Sequence, residues 1–295
     1  MLLNLALTTL EQGLIYSVLA MGVYFTYKIL DIADLSVEGS FPFGALLFAR
    51  LASTGMDPLL GTLFTFLIGT LTGLMTSMIF IQLRIKALLA GILTMTMLYS
   101  INLRLNGKPN VTLTDQKLIF DYIRTNNPYV DRIIILLILV IVAKFMIDYF
   151  LRTEAGYLLV VTGDNESLVR SLGENPNKYK IMGLMLSNGL VALSGSLLAQ
   201  TNKFADITMG VSIIVAALAS IIIGDTVFRQ RKLRGTTRAI IGAIVYRTIG
   251  TLALKIGLSP QDLRLVNGLI VIVFIAYNNF YQSAIQGRYG RKKSA

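Results

Sequence analysis

The chain has 295 residues, of which 54% are hydrophobic and only 15% charged, and its mean hydropathy is +0.67. Soluble domains are roughly 25% charged, so this composition excludes a soluble globular, a disordered or a fibrous protein and leaves a polytopic membrane protein. The net charge of +11 would suggest nucleic acid in a soluble domain. In a membrane chain it reflects basic loops on one side of the bilayer, and no nucleic-acid partner is expected. There is no Cys and no His, so disulfides, thiol catalysis, thiolate or imidazole metal sites and histidine-based nucleophile systems are out of reach.

A spanning helix needs about 20 mostly apolar residues. In chain order, the candidate crossings are 12–27, 39–53, 58–83, 87–103, 133–143 continued past Lys144, 181–202, 207–224, 236–254 with Arg247 deep inside it, and 265–287. The second is short, begins with Gly39, Ser40 and Pro42, and reads as a full crossing or a half-helix. Ten-residue stretches of strict alternation are not seen, which excludes a barrel. The expectation is an all-α polytopic membrane bundle of about nine transmembrane segments, forming a single membrane domain over 1–295. The N-terminus lacks a basic leader before its apolar run, so it is not expected to be a cleaved signal. Pro58, Pro109, Pro128, Pro176 and Pro260 fall at segment ends or in loops, and Pro42 is placed in the first turn of the second segment, where proline costs a helix least. With a cytoplasmic C-terminus, 17 of the 27 Lys and Arg lie on the inner side, which favours N-out/C-in. Loop 105–131 is then outside and 153–179 inside. The net-negative 29–38, with Asp31, Asp34 and Glu38, is also placed inside.

On the third crossing Gly61, Thr65, Gly69, Gly73 and Ser77 recur every four residues. Small residues at that spacing let two helix backbones approach closely. The stripe serves packing within the chain or, through Gly69 and Gly73, a contact between subunits.

Residues 152–180 cannot span, because they hold Glu154, Asp164, Glu166, Arg170, Glu174, Lys178 and Lys180. Leu158, Val161, Leu168 and Leu172 nevertheless give amphipathic patches. Gly163-Asp164-Asn165 reads as a turn followed by a helix cap, with Asp164 or Asn165 as the capping residue. Glu166 then stands in the first turn, at the positive end of the helix. The spacing predicts a helix over about 165–172, ended by Gly173. A short capped amphipathic helix between two crossings fits a groove on another protein. It could equally lie on the membrane surface or on its own bundle.

Three stretches carry a family resemblance. The first is Thr153-x-x-Gly156, then Leu172-Gly173-x-Asn175, then a crossing rich in Gly183, Ser187, Gly189, Ala192 and Gly195. The second is 13–46 with its polar linker, and the third is 216–243 with Gly224-Asp225, Gly235 and Gly242-Ala243. Together they cover about two thirds of the chain. They resemble the permease subunits of bacterial ATP-binding-cassette importers of the branched-chain amino acid and ribose group, in the lone-permease branch with amino-acid-like substrates. Tyr157 departs from the basic residue common there, and Arg229, Arg231, Lys232 and Arg234 make the Gly-rich turn unusually basic.

The resemblance implies a transport subunit in the bacterial cell membrane, not an enzyme. Its coupling helix, with Asp164, Asn165, Glu166, Leu168, Val169, Arg170, Leu172, Gly173 and Asn175, would seat in a cytoplasmic ATPase subunit. That partner would bind ATP and magnesium, because this chain has no GxxxxGK[ST] loop. An extracytoplasmic substrate-binding protein would land on 105–131 and Lys203–Asp206, and a second copy would complete a homodimer. Polar residues in or beside the crossings are candidates for the substrate path, since they are costly in lipid unless they face a cavity or a partner. These are Asp34, Ser36, Glu38, Thr94, Thr96 and Asn188; interhelical hydrogen bonding is the alternative for each. Against the importer stand a secondary, ion-coupled transporter and a membrane transferase. The first lacks an acid at the midplane of any crossing, and the second lacks a DxxxD-type cluster.

Overall fold

The computed structural model describes residues 2–123, 127–228, 233–259, 262, 265, 268–274 and 276. In chain order the helices are α1 (Leu2–Tyr24), continued by a π-helical turn Phe25–Ile29, α2 (Val37–Ser53), α3 (Pro58–Gln82), α4 (Ala87–Asn106), α5 (Pro128–Phe150), α6 (Glu154–Asp164), α7 (Glu166–Ser171), α8 (Pro176–Asn202), α9 (Ile213–Val227) and α10 (Gly235–Lys255). Seven described stretches are long and apolar enough to cross a membrane, namely α1 with its π extension, α3, α4, α5, α8, α9 with the turn before it, and α10. The chain is a polytopic helical bundle. Expected crossing 265–287 lies mostly outside the described residues. Its stretch 268–274 is helical, and Ile270 and Phe274 pack against Ala216, Ala219, Ile223 and Tyr246 of α9 and α10. The basic residues 229–232 and the tail 288–293 also lie outside the described residues.

Local chemistry explains where the crossings begin. Asp57, Asn127 and Asn175 each precede a proline, and each side chain accepts hydrogen bonds from the first free backbone N–H groups of α3, α5 and α8. Proline at the first helical position gives up an N–H that would have had no partner, and the Asx oxygen satisfies the next ones.

Helix α8 is the axis of the bundle. Of its most apolar stretch 72% is buried, against 28% for α4, and it packs along α3, α2 and α1. The approach is close enough to need glycine. A Cβ on Gly73 of α3 would lie 2.1 Å from the Leu184 carbonyl oxygen, and one on Gly69 2.4 Å from Ala192 Cβ. The small-residue stripe therefore meets α8 of the same chain, the first of its two expected roles, and this leaves no room at Gly69 and Gly73 for the alternative of a subunit contact. Their faces are already occupied. The opposite face of α3, with Leu60, Leu63, Phe64, Leu67 and Leu71, is exposed and suits lipid.

Helix α2 has 17 residues and starts beside Asn188, at the midpoint of α8. The chain reaches that depth by turning back after the π turn, with Leu30 N–H bonded to Phe25 O (3.0 Å), Ile32 N–H to Thr26 O (2.8 Å) and Asp31 at φ +52°. The linker 30–36 thus re-enters the bundle to the depth of Asn188, although 29–38 was placed on the inner side. Irregular backbone at this depth is tolerated because protein surrounds it. Pro42 stands inside α2, not in its first turn. It removes the N–H that would bond Glu38 O, and Gly210 packs against that carbonyl instead, leaving 1.9 Å for a Cβ.

The two ends of the bundle are distinct. At one, Asn110–Thr112 (β1) pairs antiparallel with Phe204–Asp206 (β2), Val111 opposite Ala205, and Tyr122 Oη donates to Asp57 Oδ2 at 2.5 Å. The described part of loop 105–123 and the stretch 203–206, expected to share one side, thus form one surface. At the other end lie α6, α7 and a set of ion pairs. Lys28 and Arg238 hold Asp225 at 3.2 and 3.1 Å, and Lys144 and Arg234 hold Asp148, each at 2.7 Å.

Candidate functional site

Three of the residues expected along the substrate path, Asp34, Ser36 and Asn188, meet at the start of α2. All are buried. Ser36 N–H and Oγ donate to Asp34 Oδ1 at 2.9 and 2.5 Å, and Asn188 Nδ2 donates to Asp34 Oδ2 at 2.9 Å and to Leu184 O at 3.1 Å. Asn188 Oδ1 accepts from Ser40 Oγ at 2.6 Å, and Ser36 Oγ lies 3.2 Å from it. Ser40 Oγ is also 2.8 Å from Thr72 Oγ1 on α3. A buried carboxylate is tolerable only with such partners. Gly91 of α4 makes room, since a Cβ there would sit 2.7 Å from Leu35 N and 3.3 Å from Asp34 Oδ1. The node ties α2, α3, α4 and α8 to one re-entrant turn, the arrangement of broken helix and midplane polar groups found at transporter binding sites. Ser40 and Thr72 were not singled out from the sequence. Ser40 lies one helical turn after Ser36, and that spacing was the available signal.

Glu38 and Thr96 fall together elsewhere, in a cleft of about 400 Å³ between α2, α4 and the segment 207–211, lined also by Met95, Tyr99, Asn102 and Thr208. Thr94 does not join either group. It faces inward, fully buried, and its hydroxyl has no partner among the described residues.

The expected coupling segment is helical, with two differences. Residues Glu154–Asp164 form α6, so Gly163 and Asp164 end a helix and do not form a turn. The reason is packing. Thr153 caps α6, Leu158 and Leu159 are buried, and Gly163 lies directly against Ile29 O, leaving 1.8 Å for a Cβ. Asn165, not Asp164, is the cap of α7, and its Oδ1 accepts from Ser167 N–H (3.1 Å) and Leu168 N–H (3.2 Å). Val169 is fully buried and anchors the short helix, while Leu168 and Leu172 are 47% and 59% exposed. Glu166 pairs with Lys180 and, at 3.8 Å, with Arg170. Gly173 takes φ +80°, the left-handed conformation that ends a helix. Asn175 caps α8 through Asn177 N–H at 3.0 Å. Exposed leucines on a rigidly seated projection are what a protein partner can grip.

Asp148 joins the two halves of this end. Besides its two cations it accepts from Thr236 Oγ1 at 2.6 Å. Asp148→Ala leaves Lys144 and Arg234 without their shared anion and is expected to cost about 2 kcal/mol, between the exposed and buried ion-pair ranges. A detergent thermal melt in which Asp148→Ala matches wild type would contradict this. Arg247 pairs with Gln12 Oε1 at 3.1 Å and stacks over the Tyr16 ring at 4.5 Å, so a glutamine and an aromatic face hold the cation deep in α10.

Comparison with known proteins places this geometry. Residues 5–276 match the family model described as branched-chain amino acid transport system / permease component. The chain is 42% identical over 274 residues to a tyrosine transport system permease protein of Clostridioides difficile, covering 92% of this chain and 91% of that one. It is 27% identical over 277 residues to a ribose import permease protein of Haemophilus influenzae, covering 93% and 84%. No solved structure matches. A multi-pass bundle, a re-entrant polar turn at its centre and a family match over nearly its whole length agree, and the chain belongs to the permease components of the branched-chain amino acid transport systems, which are transport proteins and not enzymes.

Proposed function

We propose that this chain is the membrane-spanning subunit of an importer that moves a small amino-acid-like solute inward, driven by a separate cytoplasmic ATPase that binds ATP and magnesium. The observation that carries the reading is α7, held by Val169 and offering Leu168 and Leu172 at the basic end of the bundle. In this reading that end is cytoplasmic, the N-terminus is outside, and 153–179 is the coupling loop. Closing of the ATPase pair pushes α7, α6 transmits the push through the Gly163–Ile29 contact, and the re-entrant turn at Asp34 opens to one side or the other. The ribbon of β1 and β2 receives an extracytoplasmic binding protein, and a second copy of the chain completes the path across the bilayer of the cell membrane. The tyrosine-permease relative supports an amino acid as the solute.

The test is affinity purification from the native membrane in mild detergent, with mass spectrometry of the co-purifying chains. An ATPase subunit in near one-to-one amount is expected. Glu166→Lys, which repels Lys180 and Arg170, is expected to reduce its recovery by about tenfold or more, the effect of ~1.4 kcal/mol. The buried carboxylate of Asp34 is a feature that ion-coupled carriers share. A chain that purifies alone and transports down an ion gradient would replace the ATP-driven reading with that one.

A further inference from the structure

The cleft between α2 and α4 holds a carboxylate that the polar node does not use. Glu38 is half-buried one turn above Asp34, and its side chain accepts from Ser212 N–H. Among the described residues it has no cationic partner. Asn102, fully buried, lines the same cleft. Its Nδ2 donates to Gly39 O at 3.2 Å, and its Oδ1 has no partner among the described residues. Thr96, which stands near the middle of α4, shows that the cleft lies at membrane depth. A carboxylate facing lipid there would cost several kcal/mol, so this face borders water or a bound cation. The rest of the lining is uncharged, with the hydroxyls of Thr96, Ser100 and Thr208 beside Met95, Tyr99, Pro42 and Val211. A volume of about 400 Å³ falls within the range of small-molecule sites.

We propose that this cleft binds the ammonium group of an amine-bearing solute of amino-acid size, with the Glu38 carboxylate as its acceptor and the Tyr99–Met95 wall against its side chain. The polarity of the site follows from charge. An ammonium has three N–H donors and no acceptor, and Glu38 is the charged group among the lining residues and only accepts. A sugar hydroxyl or a free carboxylate finds no charged donor among the lining residues. The proposal rests on the reading above that amino-acid-like solutes cross this chain, and it names the group that is recognised.

The native absence of cysteine makes the test direct. Thr96→Cys introduces the sole thiol into the full chain, which is kept in its native membrane with its partners and treated with a quaternary-ammonium thiosulfonate. Labelling is expected, and millimolar L-tyrosine or L-leucine is expected to slow it about tenfold, the size of a charge-assisted hydrogen bond. 3-(4-Hydroxyphenyl)propionate, which lacks the amino group, is expected to leave the rate unchanged. Glu38→Gln in the same background is expected to abolish protection. No labelling at all would place this face in lipid and overturn the proposal. Equal protection by the deaminated compound, or protection that survives Glu38→Gln, would do the same. If protection behaves as expected but no ATPase co-purifies, the ATP-driven reading fails and the ammonium site stands. If an ATPase co-purifies and tyrosine uptake by Glu38→Gln equals wild type, the site fails and the importer stands.

Discussion

Gly73→Ala is expected to destabilise the bundle by about 3 kcal/mol, at the upper end of overpacking costs. The added methyl would sit 2.1 Å from the Leu184 carbonyl oxygen. Backbone cannot swing aside as a side chain can, so α3 and α8 must separate along their length. The separation also opens a gap between Gly69 and Ala192, one turn away, where packing contacts are lost. The matched control is Gly250→Ala in α10, where a Cβ meets nothing within 4 Å. Helix propensity alone then acts, and this variant is expected to gain about 0.5–1 kcal/mol. Thermal unfolding of the detergent-solubilised chain measures both, and the opposite signs are the result to look for. A Gly73→Ala melt within a degree of wild type would show that the α3–α8 approach is looser than described.

Asn188→Ala is expected to stop transport and cost about 3 kcal/mol, since it removes a partner from a buried charge. Asp34 Oδ2 loses its donor, and Ser40 loses its acceptor. Ser40→Ala removes a single hydroxyl at the edge of the same node and is expected to cost about 1 kcal/mol with partial uptake retained. Initial uptake rates in proteoliposomes, read beside the melts, separate the two effects. Ser40→Ala proving more damaging than Asn188→Ala would mean that Thr72, not Asn188, is the true anchor of α2.

Where the chemistry is local, the sequence was readable. The apolar runs marked the helices, but they set the starts of α5 and α8 at 133 and 181, five residues late, because Asn127-Pro128 and Asn175-Pro176 are followed by a charged first turn or two. The helix at 165–172 was expected within a residue at each end, because its cap and its left-handed Gly173 are contiguous in sequence. The misses are long-range. Helix α6 looked like loop because its charges hid an apolar face whose partner, Ile29, is far along the chain. The linker 30–36 was placed with the inner loops because Asp34 is charged and its partner Asn188 lies 154 residues away. The glycine stripe declared a close approach without declaring to what. Of the substrate-path candidates, Asp34, Ser36 and Asn188 converge in one node and Glu38 and Thr96 in one cleft. Thr94 lies apart, a distinction that depends on helix rotation.

The glycine stripe also has a consequence for synthesis. Helix α3 ends at Gln82 and α8 begins at Pro176. At about 5–20 residues per second, α3 waits in the bilayer for on the order of ten seconds before its partner is made. During that time the face that will meet α8 touches lipid or the insertion machinery. It can wait because its hydroxyls are already satisfied by the helix itself. Thr62 donates to Pro58 O, Thr65 to Gly61 O, Thr72 to Gly69 O, Thr76 to Thr72 O and Ser77 to Leu74 O, all within 3.1 Å. A face built from Asn or Gln would carry unpaired amides through the same interval and invite chance pairing with passing helices. Threonine and glycine give an adhesive surface that stays inert until the fitting helix arrives.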